Sequence, residues 1–183
     1  LAANMWSAPA SFTVTINGTA LTCPAGSHGF NAVAFTCDPK DDNNHGTHVA
    51  GTIGAVGNNA AGVTGINWTA RIMALKFLDA GGSGFTSDAV AAIDFTIQTK
   101  AQFGSAANVR ILSNSWGGPD RSQALADAIG RANASDMLFV AAAGNSSQNN
   151  DVTPTYPAGV TQPNVISVAA TDNNDALAGF SNY

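Results

Sequence analysis

Residues 108–145, NVRILSNSWGGPDRSQALADAIGRANASDMLFVAAAGN, form the stretch that decides the fold. An apolar run at 108–116 is followed by a segment with helical spacing at 120–133 and by a second apolar run at 136–145. Continuous apolar runs are typical of strands whose two faces are both covered. A strand–helix–strand order predicts two parallel strands joined by a right-handed crossover. We therefore expect part of an α/β sheet here.

The same alternation continues on both sides of this stretch. ARIMALKFL at 70–78 predicts a strand, and Ser87 or Asp88 is expected to cap the helix that follows it. NVISVAATD at 164–172 predicts a last strand. The order predicts an α/β fold in which a three-layer, mostly parallel sheet is flanked by helices, all within one domain.

Two local patterns precede this alternation. SFTVTING at 11–18 has strand spacing and ends in an Asn-Gly turn. From His45 onward, helical spacing places Val49, Ile53 and Val56 on one face. Because glycines weaken a helix, Gly51 and Gly54 predict close approach of another element.

Composition narrows the class of protein. The 183 residues carry 7 Lys and Arg against 12 acids, all of them Asp, for a net charge of −5. This balance disfavours nucleic acid and anionic membranes as partners. No apolar run approaches the roughly 20 residues that span a bilayer. Only 10% of residues are charged, so solubility depends on neutral polar groups, as is common in secreted enzymes.

Cys23 and Cys37 are the only two cysteines, and 14 positions separate them. A disulfide closing this loop contributes about 3 kcal/mol on the chain-entropy model. Two reduced thiols of a cytosolic protein are the alternative. We favour the disulfide because the intervening loop, rich in Gly and Pro, has little else to fix it.

The candidate site lies beyond the carboxyl ends of the predicted strands, where open α/β sheets bind ligands. The segments that follow three strands, 78–84, 113–118 and 142–147, are small, polar and rich in glycine. Such segments suit a groove that binds an extended peptide backbone through main-chain hydrogen bonds.

His45 has three interpretations. A zinc site with His48 would follow the H-E-x-x-H pattern, but the spacing is three and the chain has no Glu. A helix-terminal histidine without chemistry is the second, and we expect it of His48, packed among apolar neighbours. A general base in nucleophilic catalysis is the third, and it needs an orienting carboxylate and an oxyanion donor. Asn145 is a candidate donor, although an Asn after Gly is commonly a turn residue.

Four motifs occur in the order seen in subtilisin-like serine proteases: HGTHVAGT at 45–52, SNSWG at 113–117, AAAGN at 141–145 and FSNY at 180–183. The resemblance implies that His45 is the general base and Asn145 the oxyanion donor. It implies a pocket for the side chain before the scissile bond and a strand that pairs with the substrate backbone. The residues it assigns are Ser115, Trp116 and Gly117 for one wall, Ala142, Ala143 and Gly144 for the facing wall, and Ser83 and Gly84 for pairing.

GNNAAGVTG at 57–65 is similar to the calcium loop of the same family. The resemblance implies oxygen ligands for calcium from the loop. They are the main-chain carbonyls of Gly57, Ala61 and Val63 and the side chain of Asn59. A polar surface loop without a metal is the alternative.

The resemblance also predicts what the chain lacks. In the family, D-[TS]-G upstream carries the triad Asp and G-T-S-M-A downstream carries the nucleophile. We expect both outside these residues, so that 1–183 is a partial catalytic domain, incomplete at both ends and lacking the Asp strand and the Ser helix. Asp41 and Asp42 are too close to His45 in sequence to orient its ring and are expected in the turn or helix start. Alone, the chain is expected to be inactive and poorly folded.

The expected function is that of a secreted, monomeric serine endopeptidase that acts on polypeptides and binds structural calcium. A catalytically dead, subtilisin-like binding module is the alternative from another class. A Rossmann dehydrogenase would need G-x-G-x-x-G directly after a strand, and GGSGFTSD at 81–88 does not match it.

Overall fold

A computed structural model describes all residues, 1–183, as two compact units, Leu1–Asn108 and Val109–Tyr183. The first unit contains four strands, two α-helices and two short 3-10 turns. They are β1 (Phe12–Ile16), β2 (Thr19–Cys23), β3 (Gly29–Asn31), α1 (His45–Gly54), β4 (Ala74–Lys76) and α2 (Thr86–Phe103), with the turns at Ala2–Asn4 and Gly104–Ala107.

β1 and β2 form an antiparallel hairpin whose turn is Asn17-Gly18. Both turn residues have positive φ, 51° and 78°, as a type I′ hairpin turn requires. The Asn-Gly turn expected from the sequence is confirmed. The inward face of the hairpin carries Phe12, Val14 and Ile16, all buried.

Aromatic rings build the core of the first unit. Phe30 on β3 stacks on Phe95 of α2 with centroids 5.0 Å apart, and Phe12 approaches Phe95 at 5.9 Å. Cys23 is fully buried in this core and bonded to Cys37, with a Cα–Cα distance of 5.5 Å. The favoured disulfide is therefore formed, and it fastens the loop after β3 to the hairpin.

α1 begins at His45, as expected, but it is shorter than the apolar pattern suggested. Gly54 is its last residue and Val56 lies beyond it, so the predicted face of three residues is wrong at Val56. A Cβ on Gly54 would lie only 3.0 Å from Ile72 Cδ1, which confirms the close approach expected there. Gly51 has no such neighbour within 4 Å.

Two boundaries in the first unit differ from expectation. β4 has three residues where a strand of nine was predicted, because its parallel partner β3 offers only three residues for pairing. α2 begins at Thr86 after Phe85, without a side-chain cap, so the predicted cap at Ser87 or Asp88 is wrong. Asp88 instead lies in the first turn, where its charge favours the helix dipole.

The second unit is the strand–helix–strand arrangement predicted from residues 108–145. β5 (Ile111–Asn114), β6 (Leu138–Ala142) and β7 (Val165–Val168) form a parallel sheet in that order, and α3 (Gln123–Ala134) connects the first two strands. Ser122 caps α3 because its hydroxyl accepts a hydrogen bond from the Leu125 amide at 3.3 Å. The α/β class is thereby confirmed.

Burial alternates along β5 and β6 of this sheet. Leu112, Phe139 and Ala141 are buried on the face that α3 packs against. The other face carries four half-exposed apolar side chains, so the expectation of two covered faces is met on one face only. They are Ile111, Leu138, Ile166 and Val168. None of the three α-helices combines the length and apolarity that crossing a bilayer requires.

Candidate active site

His45 is the first residue of α1, and the chain turns sharply before it. Asn44 adopts a left-handed conformation with φ of 76° and provides no side-chain cap. Its carbonyl accepts the His48 amide at 3.0 Å, which starts the helix. The imidazole of His45 is exposed and makes no hydrogen bond within the chain. Its ring nitrogens are therefore available to a bound group.

Asp41 caps this helix from outside it. Oδ1 accepts the amides of Asn43 and Asn44, each at 3.0 Å, and Oδ2 accepts the amide and hydroxyl of Thr47 at 2.8 and 2.6 Å. The expectation that Asp41 belongs to the helix start is confirmed. The Thr47 hydroxyl, followed by the three amides, holds the pKa of the Asp41 carboxyl well below its ordinary value of 3.8, against the opposing effect of burial.

The Asp41 cap predicts a dependence of stability on pH. Because the folded-state pKa is depressed, the ionised carboxylate stabilises the fold above the ordinary pKa of 3.8, and this contribution disappears as pH falls toward the folded-state value. Replacing Asp41 by Ala is expected to cost about 1 kcal/mol at neutral pH, as for other N-cap losses. Denaturant titrations of Asp41→Asn between about pH 3 and pH 7 should then show a shallower acid loss than the parent.

Asp38→Asn is the matched control for this prediction, since Asp38 is exposed and makes no hydrogen bond. Its pH profile should follow that of the parent. A parent-like acid loss in Asp41→Asn would contradict the capping role.

The loop before His45 is tied to the segment that follows β4. Asn43 Nδ2 donates to the carbonyl of Ala80 at 2.9 Å. Lys76 Nζ pairs with Asp42 and also donates to the Leu78 carbonyl at 2.7 Å. Within the first unit, these contacts thus connect the His45 loop to the segment that contains Ser83 and Gly84.

Ser83 and Gly84 differ in how much of their main chain is free. The Ser83 amide donates to Asp79 Oδ1 at 3.0 Å, and the Ser83 carbonyl accepts the Asp79 amide at 2.7 Å. Gly84 makes no main-chain hydrogen bond, and a Cβ there would lie 2.2 Å from the Phe77 carbonyl oxygen. Of these two residues, only Gly84 therefore has a main-chain N–H and C=O without a hydrogen-bond partner.

The second unit holds a cavity of about 300 Å³ at the carboxyl ends of its strands. It is the location expected for ligands of a parallel sheet. Ser115, Ala142, Ala143, Gly144 and Asn145 are among the residues that line it, together with Ser113, Asn114, Val140, Ala141 and Val168–Ala170. Small side chains thus surround most of the space.

Asn145 follows β6 at the edge of this cavity. The preceding Gly144 has φ of +121°, which L side chains rarely adopt. The side chain of Asn145 is exposed, and its amide makes no hydrogen bond within the chain. Its two N–H groups are therefore available to a bound molecule.

Trp116 and Gly117, expected in the same wall as Ser115, are not among the lining residues. The Trp116 indole N–H donates to Asn114 Oδ1 at 3.1 Å, and Asn114 Nδ2 donates to the Leu112 carbonyl at 2.9 Å. Asn114 thereby connects the indole to the end of β5.

The 57–65 loop offers oxygen donors of the type that calcium prefers. Asn58, Ala60 and Gly62 have positive φ, so the loop curls tightly. However, Asn59 Oδ1 already accepts the Ala61 amide at 3.1 Å, and no carboxylate is present. Four neutral donors fall short of the six to eight oxygens that calcium takes. These residues alone fit only part of a calcium site.

One side chain differs from its sequence prediction, and two buried polar side chains form contacts that the sequence did not indicate. His48, expected to be packed, is exposed. Ser181 is buried, and its hydroxyl accepts the Ala170 amide and donates to the Asn182 carbonyl. Asn182, which belongs to the FSNY motif, is fully buried and contacts the chain around Asn145. Its contacts span more than 25 positions, and no local signal indicates them.

The architecture is that of a subtilisin-like serine proteinase. A crystal structure of a cold adapted subtilisin-like serine proteinase matches with a TM-score of 0.70 and 34% sequence identity, over 85% of this chain and 50% of that one. A family model described as the Subtilase family matches residues 16–183. The chain therefore belongs to the subtilase family of serine proteases.

Curated relatives agree with this membership. The chain is 40% identical over 153 residues to the minor extracellular protease Epr of Bacillus subtilis (strain 168), covering 84% of this chain and 22% of that protein. It is 40% identical over 142 residues to subtilisin DY of Bacillus licheniformis, covering 77% of this chain and 48% of that protein. The chain thus spans less than half the length of either relative.

Proposed function

We propose that this chain supplies the general base and the oxyanion donor of a secreted serine endopeptidase. In this proposal, His45 takes the proton from a serine hydroxyl as that hydroxyl attacks the scissile carbonyl. The resulting imidazolium then gives the proton to the departing amine. Asn145 donates a hydrogen bond to the oxygen that becomes negatively charged in the tetrahedral intermediate.

The observation that carries the proposal is the unoccupied amide of Asn145 at the cavity edge. Its N–H groups have no partner in the chain, and the cavity beside it is lined by small residues. An oxyanion donor must be free in the ground state so that it can bind charge in the transition state. The exposed and unbonded imidazole of His45 meets the corresponding requirement for a general base.

The orienting carboxylate and the nucleophilic serine are proposed to come from outside these 183 residues. Asp41 is fully engaged as a helix cap, and the Ser181 hydroxyl is buried and bonded. The relatives extend well beyond the matched region, which leaves room for both groups there. A domain completed in this way is the proposed catalytic unit.

The proposed substrate is an extended polypeptide. Its backbone would pair with Gly84, and the side chain before the scissile bond would enter the cavity lined by Ser115 and Ala142–Gly144. Trp116, Gly117 and Ser83 are proposed to contact the substrate as well. The loop around Asn59 is proposed to contribute some of the ligands of a structural calcium ion, with the others from elsewhere in the protein.

The test is hydrolysis of a chromogenic peptide by the whole natural protein that contains this segment. Activity should be abolished by a serine-directed fluorophosphonate, which should label one serine covalently. A protein that binds the peptide but neither hydrolyses it nor reacts with the fluorophosphonate would be a binding module, and the proposal would be wrong.

A further inference from the structure

The side chain of Asn182 is a buried hub of hydrogen bonds in the second unit. Oδ1 accepts the amides of Ser146 and Gln148 at 2.7 and 3.2 Å. Nδ2 donates to Asn150 Oδ1 and to Thr155 Oγ1, each at 3.1 Å. The two acceptor and two donor positions of the amide are all used, as burial of a polar group demands.

The main chain around Asn182 strengthens this connection. The Asn182 amide donates to the Gly144 carbonyl at 3.0 Å, and the Tyr183 amide donates to the Gln148 carbonyl at 3.0 Å. The residues before and after Asn145 are therefore both bound to Asn182, Gly144 through its carbonyl and Ser146 through its amide.

Gly144 shows how closely the Asn182 side chain approaches. A Cβ on Gly144 would lie 2.5 Å from Asn182 Nδ2, so the Asn182 amide would have to move to make room for it. With its φ of +121°, Gly144 is required both by its backbone conformation and by the packing of this amide.

We propose that Asn182 is a positioning residue that fixes the direction of the Asn145 amide. This inference rests on the proposed function, because it assigns a partner to the proposed oxyanion donor. No hydrogen bond holds the Asn145 side chain itself, so its direction depends on its backbone, and Asn182 anchors that backbone on both sides. Donors to a developing charge are effective when they are fixed in advance.

The test is a double-mutant cycle of Asn182→Ala and Asn145→Ala in the whole protein, with kcat and KM measured separately. Asn182→Ala is expected to lower kcat by about 10- to 100-fold with KM changed by less than about threefold, because misplacing a reacting group by about 1 Å costs this much. In the Asn145→Ala background, the same change should lower kcat by no more than about twofold.

Asn164→Ala is the matched control. Asn164 is also a buried asparagine of the second unit, and its amide donates to the carbonyls of Ile129 and Met137 at 3.2 and 2.9 Å. Asn164→Ala should reduce thermal stability and leave kcat of the folded protein within about twofold of the parent. Its effect on kcat should be the same in the Asn145→Ala background as in the parent.

Thr155→Val keeps the inference testable if Asn182→Ala does not fold. It removes one acceptor of the Asn182 amide, so it should lower kcat by a smaller factor than Asn182→Ala does. In the Asn145→Ala background, Thr155→Val should leave kcat unchanged. Full additivity in both cycles, with Asn145→Ala itself strongly impaired, would overturn the positioning role and leave the proposed function intact. Unchanged kcat in Asn145→Ala would instead overturn the proposed function, and the positioning role with it.

Discussion

Replacing His45 by alanine in the whole protein is expected to lower kcat by about 10⁶-fold, the scale known for removing the catalytic histidine of subtilisin. The reason is that a serine hydroxyl is a weak nucleophile until a base takes its proton. KM should change far less, because the imidazole takes up the proton of the serine hydroxyl and does not bind the peptide. Steady-state hydrolysis of a peptide anilide, with active-site titration, measures both constants.

His48→Ala is the control for this change. His48 lies on the same helix, is also exposed and makes no side-chain hydrogen bond. Its kcat should stay within about tenfold of the parent, since removal of an exposed side chain has small effects. If His45→Ala retained more than about a tenth of the parent kcat, the assignment of the general base would be wrong.

Replacing Asn145 by alanine is expected to lower kcat by about 10²–10³-fold with little change in KM, the range known for this donor in subtilisin. In the proposed function, the hydrogen bond forms to the charged oxygen of the intermediate and not to the substrate carbonyl, so its loss should raise the barrier without weakening ground-state binding. Kinetics on a peptide amide and on an ester, where attack is also required, should show the same loss.

Asn173→Ala is the control, because Asn173 is an exposed asparagine in a loop of the same unit and does not line the cavity. It should leave both constants near those of the parent. A rise in KM with kcat unchanged in Asn145→Ala would mean that Asn145 binds substrate and does not stabilise the oxyanion.

The sequence predicted the second unit well because its signals are local. The apolar runs of β5 and β6 and the amphipathic segment between them can be read within 40 consecutive positions, and residues 108–145 fold as those patterns indicate. The start of α1 at His45 and the Asn17-Gly18 turn are likewise local, and both are confirmed.

The structure differs from the sequence predictions where a distant strand sets the length of an element and where an unusual backbone conformation changes which residue caps a helix. The apolar pattern at 70–78 extends on both sides of β4, but β4 pairs only along the three residues of β3. The hydrophobicity of a segment does not encode the length of its partner strand. Asn44 occupies the usual cap position before α1, yet its left-handed backbone leaves the capping to Asp41.

The candidate site shows the same difference between local and long-range signals. The motifs around His45 and Asn145 are the basis for proposing these two side chains as catalytic, and local patterns place both of them, His45 as the first residue of α1 and Asn145 in the segment that follows β6. Asn182 could not be identified in this way, because its hydrogen bond to Ser146 joins residues 36 positions apart and follows no periodic pattern.

The proposed function requires that His45 and Asn145 act on the same scissile bond. A crystal structure of the whole protein with a peptidyl boronate tests this requirement most directly. A boronate bound to the nucleophilic serine mimics the tetrahedral intermediate. We expect one boronate oxygen about 2.7–3.1 Å from Asn145 Nδ2, and the His45 imidazole within hydrogen-bond distance of the adduct on its other side. An adduct that forms while either side chain faces a different surface would contradict the account.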